Sequence, residues 1–143
     1  MHKAIAVLAV YGLLFLAAAG RADEGTAARF DGVWTTVVSC AAYEGAVPYS
    51  YEFPSTVKDS VLQGERGVRG APGWLQLDGR ILPDGSSKLS AHGLVGAERA
   101  AVGERARGTP YKYQIDATFT GNSGSGHRVK GRPCTVSFSR KTP

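Results

Sequence analysis

Few side chains in this chain have a type and spacing that could do chemistry. Past the N-terminal apolar run there are two histidines, His92 and His127. His92 alternates with Lys88 and Ser90 on what reads as the polar face of a strand, and His127 comes after the glycine-rich GNSGSG. No HExxH, CxxC or His-x-His spacing offers a zinc set, and no G-x-S-x-G offers a nucleophile elbow. GERGVRG and GNSGSG are rich in glycine, but neither runs into a helix whose N-terminus could cradle phosphate. The carboxylates fall singly, Asp59 and Asp84 in turns, Glu52 and Asp116 on polar strand faces. The expectation is a non-enzymatic chain with no metal and no cofactor.

Binding chemistry has more to draw on. Residues 99–143 hold nine basic and two acidic side chains, net +7, whereas residues 23–98 hold six and ten, net −4. Arg128, Lys130 and Arg132 alternate with His127, Val129 and Gly131, which predicts three cations projecting from one strand face. Lys112 joins them if neighbouring strands pair, and Arg105 and Arg107 lie in a long loop. Guanidinium and ammonium groups at this density suit an anionic glycan, a lipid headgroup or an acidic protein. The same charges also suit a solvated face that resists edge-to-edge aggregation. Trp74 lies opposite Leu75 and Leu77, which marks it as a contact residue or as one covered by the long loop. The candidate ligand-binding set is therefore Lys112, Arg128, Lys130, Arg132, Arg105, Arg107 and Trp74.

The chain beyond its leader must position these residues. His2 and Lys3, an apolar run from Ala4 to Ala19 and small residues before Asp23 and Glu24 make a secretory signal peptide over 1–22, cleaved after Ala19 or Ala22. Export to the periplasm or outside the cell makes nucleic acid an unsuitable partner. No later segment is apolar enough to span a membrane. The same compartment makes a disulfide the expected state of the two cysteines, Cys40 and Cys134. Closing a loop of this length contributes about 4–5 kcal/mol in the chain-entropy model. Residues 23–29 read as a flexible mature N-terminus and residues 30–141 as one domain.

Within that domain the signal is alternation. Trp34, Thr36, Val38 and Cys40 share one face of the first strand; Tyr49, Tyr51 and Phe53 share one face of the second, which Pro54 marks as an edge or bulge. Leu75, Leu77, Gly79 and Ile81 pair with Leu89, Ala91 and Gly93 as a hairpin across Pro83-Asp84-Gly85. Tyr111, Tyr113, Ile115, Ala117 and Phe119 alternate, as do Cys134, Val136 and Phe138. Residues 64–73 read as a tight turn or irregular edge, NSGSG as a turn, and 95–110 as a long loop with a helical turn. Both cysteines lie on aromatic-bearing faces, so the first and last strands are expected to be neighbours. The sum is an all-β antiparallel meander of seven or eight strands, a small closed or nearly closed barrel, with a β-sandwich as the alternative.

FDGVW, YEFPSTVKDSVLQGERG, PGWLQLDGRILPDGSSKL, GTPYKYQIDATFTG and GHRVKGRPCTVSF together resemble a small secreted domain that recurs in alphaproteobacteria. That resemblance implies export and a single domain and brings no catalytic residue. Gly32-Val33-Trp34 is also similar to the Gly-x-Trp opening of lipocalins and avidins. The resulting expectation is an exported binding module for an anionic envelope component or acidic partner. The alternatives are an inhibitor of a host hydrolase such as lysozyme, working through the 95–110 loop, and a carrier of a small apolar ligand inside the barrel.

Overall fold

A computed structural model describes residues 28–142; the predicted signal peptide and residues 23–27 of the predicted flexible segment lie outside them. A 3-10 turn at Ala28–Phe30 takes the last two residues of that segment into the fold. Eight strands, with a second 3-10 turn at Glu98–Ala100 as expected for the 95–110 loop, make up the rest: β1 Gly32–Cys40, β2 Tyr49–Lys58, β3 Val61–Arg66, β4 Leu75–Arg80, β5 Ser86–Leu94, β6 Pro110–Thr120, β7 Ser123–Arg128 and β8 Cys134–Arg140. Each pairs antiparallel with the next, and β8 returns to pair with β1, closing the barrel. Closure removes the exposed sheet edges that a sandwich would leave. Cys40 and Cys134 are direct cross-strand partners and are joined in a disulfide. Among the described residues no helix is long and apolar enough to cross a membrane.

One end of the barrel is sealed. Phe30 folds under it, its carbonyl accepts a 2.9 Å hydrogen bond from the Trp34 indole, and Phe119 packs against both rings. The connections at this end are short turns, and the Asp31 carboxylate accepts from the Asp59 and Ser60 amides to fix one of them. Above the seal, Leu62, Leu77, Leu89 and Ile115 are fully buried, and two buried hydroxyls, Thr36 and Ser55, satisfy each other at 2.7 Å. The lower and middle lumen is therefore solid.

Three predictions change here. NSGSG is not a turn: Ser123–Arg128 is a full strand, and the turn is only at 121–122. Its glycines face inward because the lumen has no room for a side chain beside them. A Cβ at Gly124 would lie 2.8 Å from Phe119 Cδ1, and one at Gly126 would lie 2.6 Å from the Asp116 carbonyl. Residues 64–66 likewise belong to β3, with Gly64 under Phe53 and Ser55. β2 runs straight through Pro54; its β3-side pairing ends at Ser55, so the proline breaks no ladder on that side. Gly126→Val is expected to destabilise the barrel by about 1–3 kcal/mol through overpacking, read as a lower urea midpoint. An unchanged midpoint would show that the lumen is looser than described.

Candidate functional site

The opposite end is built differently. The strand register places Cys40, Tyr49, Tyr51, Arg66, Leu75, Leu94, Tyr111, Tyr113, Arg128 and Cys134 at one mouth. Four longer connections, residues 41–48, 67–74, 95–109 and 129–133, surround it. Inward positions that are buried from Phe53 on β2 and Ile115 on β6 downward hold tyrosines here, two on each strand. In an eight-strand barrel these strands stand four places apart and so face each other across the lumen. The rings of Tyr111 and Tyr113 lie within 10° of parallel with centroids 6.1 Å apart; those of Tyr49 and Tyr51 are 4.8 Å apart. Above the phenols is a cavity of about 390 Å³, roofed by Val95, Ala100, Ala101 and Val102 of the 95–109 loop.

Three of the tyrosines carry a guanidinium on the ring. Arg66 Cζ lies 3.7 Å from the Tyr51 centroid, Arg128 4.4 Å from that of Tyr113, and Arg132 4.9 Å from that of Tyr49, all within cation–π range. Arg132 is only 3% exposed. Its Nε donates to the Ala41 carbonyl and its Nη1 to that of Ala100, both at 2.6 Å, and its Nη2 donates to that of Val47. One side chain thus ties the 41–48 and 95–109 loops to the 129–133 loop, and the Val47 amide adds a 2.8 Å bond to the Arg99 carbonyl. Arg66 and Arg128 also donate to backbone carbonyls, of Gly73 and Lys130. None of these bonds uses a carboxylate or a tyrosine hydroxyl. Among the described residues the ion pairs are Arg69–Glu65 and Lys88–Asp116, neither of them in the cavity wall. The wall itself holds Arg105, Lys112, Arg128 and Arg132 against a single carboxylate, Glu44.

The hydroxyls are electrostatically plain. Burial, reinforced by the neighbouring phenols, pushes Tyr111 and Tyr113 up, and burial with Tyr51 does the same to Tyr49 against the opposing pull of Arg132 and Arg128. They stay protonated, able to donate and to accept. Among the described residues Arg140 Nε is the one fully buried side-chain nitrogen or oxygen without a partner, and the hydroxyls of Tyr49, Tyr51, Tyr111 and Tyr113, which line the cavity, take no part in the bonds above. Among the same residues no three His, Cys, Asp or Glu side chains cluster to hold a metal.

The predicted site residues separate. Arg132 does not project from an outward strand face; residues 129–133 are a loop, and the guanidinium turns inward to the carbonyls that loop brings near it. Arg128 also points inward, and Lys130 alone of the three remains exposed. Lys112 and Arg105 are exposed at the cavity rim, whereas Arg107 is exposed outside the wall. Trp74 is half-buried, with its indole donating 2.8 Å to Glu65 and Arg69 over its ring. Hydrogen bonds from Arg69 and then Trp74 hold the Glu65 carboxyl below its usual range. Sequence reasoning missed the four tyrosines as a site, although the i, i+2 pairs on two strands were a visible signal.

No known family, curated protein or solved structure matches this chain.

Arg132→Met leaves three carbonyls without their donor and is expected to cost about 2–4 kcal/mol in urea unfolding, with faster amide exchange at Val47 and Ala101; native-like values for both would contradict the role given to it. A phenol whose folded pKa lies above its unfolded value of about 10 binds its proton more tightly in the native state, so its stabilisation is full below that pH and is lost above it. The urea midpoint should therefore fall above about pH 10, and fall less in Tyr111→Phe/Tyr113→Phe. Identical alkaline profiles would contradict it.

Proposed function

We propose that this chain is an exported, non-enzymatic binding module that receives an anionic group of its ligand in the tyrosine–arginine cup at the barrel mouth. The observation that carries the reading is Arg132: a guanidinium almost wholly out of solvent, in the wall of a cavity of about 390 Å³, that makes no ion pair among the described residues. Burying a cation is unfavourable unless it is hydrogen-bonded or paired, and three carbonyls supply bonds without neutralising the charge. An anion entering the cup would complete that compensation. The volume falls in the range of small-molecule sites, at about 300–1,000 Å³.

The solid lumen below bears on what kind of ligand this is. With Trp34, Phe119, Phe138 and Leu62 fully buried, the free space lies at the mouth and is lined by polar rings and cations. That supports an anionic ligand held near the surface over an apolar one held deep.

Two charge-matched variants test the site. Lys112→Gln/Arg128→Gln removes two cations at the cup; Lys58→Gln/Lys141→Gln removes two at the sealed end. On a sulfated polysaccharide matrix the cup variant should elute at clearly lower salt than native protein, and the other close to native. Equal shifts in both would mean diffuse charge rather than a site, and would overturn the reading.

A further inference from the structure

The cup has more unpaired hydrogen-bonding capacity than one anionic group can use. The same four tyrosines line it, and the bonds that organise the mouth do not use their hydroxyls. From this we infer the ligand class: a sugar acid, that is, a pyranose bearing a carboxylate, as a free saccharide or the end unit of an anionic glycan. The inference rests on the anion-binding reading above and specifies its ligand.

Three features select this class. An alkyl or bare aryl carboxylate would meet Arg128 and Arg132 but leave the phenol hydroxyls unpaired in a desolvated site. Each such group is unfavourable by enough to discriminate strongly against a ligand that lacks the matching hydroxyl. A pyranose offers several hydroxyls, each a donor and an acceptor. The stacked rings of Tyr111 and Tyr113 stand across the lumen from Tyr49 and Tyr51, which puts aromatic surface on both sides for the C–H face of a pyranose. Finally, the solid lumen gives an alkyl tail nowhere to run, whereas about 390 Å³ at the mouth suits a compact, hydrated ligand. In the bound state the carboxylate sits against the guanidiniums of Arg128 and Arg132, and the ring hydroxyls take up the phenols.

Calorimetric titration of the mature domain tests this with four probes: digalacturonate, a neutral galactose disaccharide, benzoate and dodecanoate. Digalacturonate is expected to bind at least about tenfold tighter than each of the others, with about fivefold lost in Tyr111→Phe and tenfold or more in Arg128→Gln. Both substitutions spare the loop ties made by Arg132, and a native urea midpoint confirms that the variants are folded. Tighter binding of benzoate or dodecanoate would overturn the sugar-acid class while leaving the anion reading standing. Equal binding of the neutral disaccharide, or no binding by any anion, would overturn both.

Discussion

A guanidinium held out of water by carbonyls, with no ion pair among the described residues, is the constraint on which the mouth of this barrel depends. A carboxylate beside Arg132 would have neutralised it cheaply, yet its partners are the carbonyls of Ala41, Val47 and Ala100. That choice has two consequences. It fixes three loops of different sequence origin against one another, because each contributes to or accepts from the same planar donor set. It also leaves the full charge in place, next to Arg128 and beneath a roof of small apolar residues, where the low local polarity strengthens its attraction for an anion.

The cup exists because the barrel is filled from the other end. Phe30, Trp34, Phe119 and Phe138 occupy the lower lumen, and they fit because strand positions facing them are glycine: Gly124 lies against Phe119, and Gly126 against Ala117 and Ile115. Large side chains on β6 thus answer missing ones on β7. Higher up the same inward positions change to tyrosine, whose body continues the core while its polar tip needs wet space. The change from Phe53 to Tyr51 along β2 and from Ile115 to Tyr113 along β6 marks the boundary between core and site. Arg66, stacked on Tyr51 where the β2–β3 ladder has ended, fills the split that the short pairing leaves.

Much of this architecture was legible in the sequence. Alternation identified the buried face of β1, β2, β6 and β8, and the shared face of the cysteines and aromatics gave the β1–β8 closure and the Cys40–Cys134 bond. β7 was not legible, because glycine and serine carry no periodic signal and their meaning depends on Phe119, a neighbour known only once strands are paired. The cationic residues were found by type but not by direction. Arg132 alternates with Arg128 in sequence, yet the chain leaves the sheet between them, and alternation beyond a strand end predicts nothing about facing. The tyrosines were legible as one face of β2 and one face of β6; that two pairs meet across the lumen requires the strand order.

Nuclear magnetic resonance of protein carrying carbon-13 in tyrosine rings and arginine side chains, titrated with digalacturonate, addresses the central claim most directly. Shifts concentrated on Tyr49, Tyr51, Tyr111, Tyr113, Arg128 and Arg132, with Arg140 at the sealed end unmoved, are the predicted result. Shifts spread over exposed arginines such as Arg107, with the four tyrosines silent, would contradict it.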